Sequence, residues 1–177
     1  THLHVDHVGW NTMLVDGEWI PTFPNARYLI AEKEWTYWND NENEDLYGPV
    51  ISDSVRPVVD AGMVEFVDDY YSLCKEVRLN PTPGHTPGHV SVLINSKKKR
   101  AMITGDFIHH PVQMTNTDWC SPADYDKKQA QLTRETLLEK YVNQDILIIG
   151  THFSTPTAGH IKFLEGGGYW LDTNNAK

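Results

Sequence analysis

Apolar residues recur at helical spacing in two stretches of this chain and cluster in short runs elsewhere, which predicts helices and strands interleaved along its length. Residues 26–31 read as a strand and 32–39 as a short helix. Ile51, Val55, Val58 and Val59 share one helical face, and Gly62 ends that helix in the manner of a C-terminal cap. Residues 63–67, 76–79, 90–94 and 101–104 are short strands bounded by turn residues, and 145–149 is a strongly apolar one. Residues 122–142 form the longest predicted helix, with Ser121 as its cap, Pro122 in its first position, and Leu132, Leu137, Leu138 and Tyr141 as its inner stripe. A hairpin around Gly166, Gly167 and Gly168 closes the pattern over residues 162–171. The stretch carrying Gly9, Gly17, Pro21 and Pro24 reads as a loop, and so does the acidic run 39–45. Interleaved strands and helices of this kind make a layered α/β domain, and 177 residues suit a single one, spanning 1–177.

Composition narrows the set of partners. Fifteen basic against twenty-four acidic residues leave a net charge of −9, which disfavours nucleic acid or an anionic membrane surface. The only basic run, Lys97 to Arg100, falls between two strands and reads as a solvated hairpin turn. Cys74 and Cys120 make neither a disulfide framework nor a C-x-x-C pair, a weak sign of a reducing compartment such as the cytoplasm. No apolar run reaches membrane-spanning length.

The candidate chemistry begins at the first residue. THLHVDH places His2, His4, Asp6 and His7 in one short turn, although the chain holds only nine histidines. In a strand, residues 2, 4 and 6 would share a side, and a turn at its end would bring His7 round. Imidazole nitrogen with carboxylate oxygen suits zinc and its first-row neighbours rather than magnesium or calcium. Three later loops at strand ends offer more donors: PTPGHTPGH with His85 and His89, ITGD with Asp106, and ILIIGTH with His152. Such loops are where α/β scaffolds carry functional groups.

Taken in order, THLHVDH, TPGHTPGH, TGD and GTH resemble the metal motifs of the metallo-β-lactamase superfamily, over residues 1 to about 160. The resemblance implies that superfamily's αββα sandwich. It implies that His2, His4 and His85 hold one divalent metal, that Asp6, His7 and His152 hold a second, and that Asp106 bridges them. Zinc is the expected metal, with iron, manganese and cobalt as alternatives. His89 is not a ligand in that pattern and is expected to orient its loop through a hydrogen bond. Family members carry strands ahead of the opening motif. The resemblance therefore implies the C-terminal part of a longer chain, with an uncovered sheet edge and a weakened core unless a complementary segment or a second copy supplies the missing strands.

For function, the resemblance implies hydrolysis by hydroxide generated between the two metals, acting on small lactones or carboxylic esters as acyl-homoserine lactonases do. Asp106 would hold the metals together and Asp6 would handle the proton. Acyl-homoserine lactonases place a tyrosine three residues after the bridging aspartate, where this chain has His109. That histidine resembles the methyl-parathion-hydrolase-like members, makes organophosphate triesters or aryl esters the alternative substrates, and could donate to a developing oxyanion. Trp10, Trp119 and Phe153 are the candidate lining of an apolar substrate pocket, while His110 and His160 read as structural. An iron-dependent redox enzyme, such as a persulfide dioxygenase, is the reading from another class.

Overall fold

A computed structural model of the chain describes residues 1–41 and 48–174. They divide into two compact units, Thr1–Asp69 and Tyr70–Lys177.

In the first unit the backbone is extended through His4 and then turns at once into helix α1 (Val5–Val8), with the His7 and Val8 amides donating to the His4 carbonyl at 3.0 and 3.2 Å. The strand expected across residues 2–6 is therefore cut short, and Asp6 and His7 sit on a helical turn. A single 3₁₀ turn (Gly9–Asn11) leads into strands β1 (Thr12–Val15) and β2 (Glu18–Pro21), which pair antiparallel. This hairpin replaces the loop that the glycines and prolines suggested. Asp16 and Gly17 close it at φ 52° and 89°, the left-handed backbone of a type I′ turn, for which Asp-Gly is a favoured pair. Strand β3 (Tyr28–Ala31) runs parallel to β4 (Val64–Val67), and helix α2 (Glu32–Asp40) follows β3 directly. A π-helical turn (Ile51–Val55) continues into α3 (Arg56–Asp60), which Gly62 ends at φ 68°, as the pattern required. Leu3, Val8, Ile30, Trp38, Ile51 and Val55 form the core of this unit. Of the acidic run, Asn39 and Asp40 end α2, and residues 42–45 lie outside the described residues.

The second unit is built on a six-stranded sheet in the order β10-β9-β8-β7-β6-β5. The strands are β5 (Val77–Pro81), β6 (Val90–Ser96), β7 (Lys99–Ile103), β8 (Leu147–Ile149), β9 (Ala158–Phe163) and β10 (Tyr169–Asp172), antiparallel except for the β7–β8 pair. Lys97 and Lys98 make the β6–β7 turn with positive φ, and Lys99 and Arg100 already belong to β7. The crossover from β7 to β8 carries α4 (Val112–Thr115) and α5 (Lys127–Tyr141). Met102, Ile108, Met114, Leu138, Ile148 and Ile161 centre its core.

Helix α5 departs from its sequence reading at both ends of the argument. It starts at Lys127, capped by the Asp126 carboxylate accepting the Gln129 amide at 3.0 Å, and not at Pro122 behind Ser121. Its inward face holds Ala130, Thr133, Arg134, Leu137, Leu138 and Tyr141, whereas Leu132 is exposed. An inward arginine is invisible to a hydrophobic stripe, and counting only apolar residues rotated the face. Leu138→Ala is therefore expected to lower unfolding free energy by about 2–5 kcal/mol through the cavity it leaves. Leu132→Ala is expected to stay within about 0.5 kcal/mol. Urea unfolding of the two variants checks the assignment.

Candidate metal centre

In the first unit the opening histidines sit against one another. His2 Nε2 and His4 Nδ1 are 3.1 Å apart, the His2 and His7 rings have centroids at 4.0 Å, and His7 Nε2 lies 3.5 Å from Asp6 Oδ2. A buried carboxylate sets this backbone. Glu34 of α2 accepts the Leu3 amide at 3.1 Å and the Trp38 indole N–H at 2.8 Å through the same oxygen. Leu3 is thus held between the two histidines that flank it, and His4 rests edge-on against Trp38 with centroids 5.5 Å apart. Nothing in the sequence pattern marked Glu34, because an acid on a short exposed-looking helix carries no signal of burial.

In the second unit three loops emerge at one edge of the sheet. β7 and β8 are parallel and β5 shares their direction through antiparallel β6, so the segments after all three leave at their C-terminal ends. Asp106 follows β7, His152 follows β8, and His85 follows β5. Asp106 Oδ2 lies 3.0 Å from His152 Nε2, 3.5 Å from His85 Nε2 and 3.4 Å from His109 Nε2. His109 stacks on His152 at 21° with centroids 5.5 Å apart, and meets His85 edge-on at 4.8 Å. The sequence offered His109 as a donor to a developing oxyanion; in the fold it stands beside Asp106, and its Nδ1 has no hydrogen-bond partner among the described residues.

His89 takes the orienting role expected of it. Its Nε2 accepts the Asp106 amide at 2.8 Å, so its Nδ1 carries the proton and donates to Thr82 Oγ1 at 2.7 Å. Ser91 stands 3.1 Å from Thr82 and donates to the Thr104 carbonyl at 2.7 Å, which ties the β5–β6 loop to the strand end before Asp106.

Two further residues of this site escaped the sequence reading. Asp124 Oδ1 accepts from His85 Nδ1 at 2.8 Å, which fixes the tautomer and turns the Nε2 lone pair toward Asp106. Arg134, fully buried on α5, places Nη2 3.8 Å from Asp124 Oδ2 and donates through Nε to the Phe107 carbonyl at 3.2 Å and through Nη1 to the Thr117 carbonyl. Backbone contacts join the same region: the Tyr125 and Asp126 amides donate to the His85 and Gly84 carbonyls at 3.0 and 2.9 Å. A Cβ at Gly84, held at φ 130°, would stand 2.3 Å from the Ala130 nitrogen, so only glycine lets the loop lie on α5. Asp124 lies in the segment read as the first turn of a helix, where its spacing from His85 gave no cue. Nearby, Gln131 and then Thr117 donate to Glu135, holding its carboxyl below the usual carboxylate range.

The three aromatics expected to line a pocket diverge. Phe153 belongs to the sheet core, against Gly150, where a Cβ would come within 2.2 Å of its ring. Its adjacency to His152 was misleading, because neighbouring residues after a strand point in different directions. Trp119 is 56% exposed, its carbonyl accepting from Gln113 Nε2 at 2.6 Å, and Trp10 in the first unit is 77% exposed. His110 accepts the Val112 amide through Nδ1 and His160 lies 3.7 Å from Asp145, both structural settings. A cavity of about 380 Å³ in the second unit is lined by Cys74, Arg78, Leu93, Arg100, Tyr141 and Ile146 among others, and by none of the candidate donors.

Comparison with known proteins adds context to this geometry. A family model described as the metallo-beta-lactamase superfamily matches residues 1–152. N-acyl homoserine lactonase AttM of Azorhizobium caulinodans is 30% identical over 106 residues, covering 58% of this chain and 37% of that protein. The crystal structure of hydrolase AbOPH in the beta lactamase superfamily has a TM-score of 0.82 at 25% identity, over 98% of this chain and 62% of that one. AidC, a dizinc quorum-quenching lactonase in complex with a product, has a TM-score of 0.77 at 22% identity with the same coverage. The chain thus spans between 37% and 62% of these relatives' lengths.

The Asp124–Arg134 pair generates a stability prediction. Asp124→Asn and Arg134→Met are each expected to cost about 3–5 kcal/mol, because each leaves a buried charge without the opposite charge that faces it. The double variant should cost clearly less than the sum. Additive losses in urea unfolding would show that the two do not act as a pair.

Proposed function

The chain belongs to the metallo-beta-lactamase superfamily, and from that premise we propose that it serves as a dinuclear metal-dependent hydrolase of small lactones and carboxylic esters. The observation that carries this reading is the donor set around Asp106, where the His152 and His85 imidazole nitrogens lie 3.0 and 3.5 Å from one carboxylate oxygen. Imidazoles and a carboxylate gathered in this way suit a divalent cation of the zinc type, and the Asp124 contact leaves His85 with the outward lone pair that a ligand needs. In this proposal His2, His4 and His85 hold one cation, Asp6, His7 and His152 hold the second, and Asp106 bridges. Residues 1–177 then work as one domain, a reading supported by a single family model running across both units.

Bound there, the cations would supply Lewis-acid polarisation of a carbonyl oxygen and a water whose pKa falls to about 7. The protein supplies the rest. Asp106 keeps the donor groups together, its amide fixed by His89. Asp6, half exposed on α1, would carry a proton between water and leaving group. His109 donates a hydrogen bond to the oxygen on which negative charge develops. The similarity to AttM, an N-acyl homoserine lactonase, favours acyl-homoserine lactones as the substrate class. His109, three residues after Asp106, keeps organophosphate triesters and aryl esters as the second reading. An iron-dependent redox enzyme is the third, and metal analysis with an oxygen electrode separates it from the other two.

A hydrolysis panel on the metal-loaded protein tests the proposal, with acyl-homoserine lactones, simple γ- and δ-lactones, nitrophenyl esters, phosphotriesters and a glutathione thioester. Lactones and esters are expected to turn over, with two zinc ions bound per chain; activity confined to the thioester would overturn the assignment. Asp106→Asn is expected to abolish turnover and loosen the metals. His109→Gln is expected to lower kcat by about 10²–10³-fold with metal content unchanged. Asp124→Asn should weaken metal affinity about 10–100-fold, read by chelator competition.

A further inference from the structure

The cavity of about 380 Å³ in the second unit lies where helix α5 runs out over the sheet. Cross-strand partners share a face, so the pairs Arg78 with Leu93 and Asn95 with Arg100 all project from one side. Leu93 belongs there to the core that holds Met102, Leu138 and Tyr141, which makes it the side that α5 covers. Tyr141 is the last residue of α5, and beyond it this face opens into the cavity. The metal donors His85, Asp106 and His152 follow the other ends of β5, β7 and β8. Most of a five-residue strand, at about 3.3 Å per residue, therefore separates the cavity from them.

Two chemistries meet in its walls. Leu93, Tyr141 and Ile146 are buried and apolar and form the floor, while Arg78 and Arg100 are exposed at the rim. Lys75 adds a third cation, 3.4 Å from Glu76, the one acid in the lining. Three cations against one acid leave this wall positive in a chain whose net charge is −9. Arg78 makes no side-chain hydrogen bond or ion pair among the described residues. Arg100 donates to two neutral oxygens, the Asp145 carbonyl and Gln144 Oε1, at 3.3 Å each. Neither guanidinium is neutralised by the fold.

We infer that this cavity binds a small organic anion, a carboxylate carried on an aliphatic or aromatic body. The body rests on Leu93, Tyr141 and Ile146, and the carboxylate meets Arg78 and Arg100 at the rim. β5 and β7 stand two strand spacings apart, about 10 Å, a gap that two long side chains span toward one carboxylate. A guanidinium offers the paired N–H groups that a carboxylate fits. The volume falls within the range of about 300–1,000 Å³ in which small-molecule sites occur. Inorganic phosphate would meet the guanidiniums and leave the apolar floor uncovered. A neutral hydrocarbon would cover the floor and leave both charges as they are. The inference is independent of the proposed reaction, since the lining includes no metal donor.

Cys74 lines the cavity and is exposed, so alkylation of its thiol by iodoacetamide reports occupancy, with Cys120, which is not in the lining, as the control. On the metal-loaded protein, octanoate is expected to slow Cys74 alkylation to a saturable limit and leave Cys120 unchanged, read by peptide mass spectrometry. Affinity should rise by up to about fourfold per methylene from butanoate to octanoate. Octanol and inorganic phosphate should protect far more weakly. Arg78→Gln is expected to raise the octanoate dissociation constant at least about tenfold, with circular dichroism and metal content unchanged. Arg100→Gln gives a second, independent reading of the same loss. An absence of saturable protection, phosphate protecting as well as octanoate, or indifference to both arginine substitutions would overturn the inference.

Discussion

Burying a carboxylate is the constraint on which the second unit is organised. Asp106 is almost inaccessible at the end of β7, and an anion there is tolerable only if cations or hydrogen-bond donors surround it. The imidazoles of His85, His109 and His152 approach one of its oxygens, and the His89 imidazole fixes its amide. The His85 and His89 imidazoles in turn have partners of their own, Asp124 and Thr82. Asp124 brings another buried negative charge, and Arg134 of α5 faces it. The position of the longest helix is thus tied to the site through charge as much as through its apolar face. Gly84 is glycine for the same reason: the loop carrying His85 must lie on the backbone of α5.

The first unit solves a smaller version of the same problem. Glu34 is buried on α2, and its carboxylate accepts from Leu3 and Trp38, which pins the segment carrying His2 and His4. In both units a buried acid outside the motifs holds part of one, Glu34 the Leu3 amide between two histidines and Asp124 the His85 ring. Neither acid changes the charge pattern that a reader of the sequence sees. Removing either would leave donors buried without acceptors, which costs more than the contact itself contributes.

Conditions at the periphery differ. The β1–β2 hairpin is held at its root by Thr12 and carries apolar side chains into water on both faces. A two-stranded ribbon is marginal in isolation, so the anchor at its root, Thr12 on the Asp53 carbonyl, sets where it stands in the first unit.

What the sequence determined by itself is considerable, and the physical reason is locality. Turn residues at fixed offsets located most of the strands, Gly62 ended its helix, and four short motifs nominated the donors, because donor type and spacing are written directly in the chain. The same locality explains the failures. Leu132 was placed inward because periodicity counts apolar residues and cannot see that Arg134 is buried against Asp124. Phe153 was assigned to a pocket because it adjoins His152, while its side chain belongs to the sheet core. The hairpin was read as a loop because strands apolar on both faces lack the alternation that marks a half-buried strand. Only the tertiary structure decided which groups of opposite charge meet across tens of residues, since a buried ion pair is a property of two distant positions and neither one records the other.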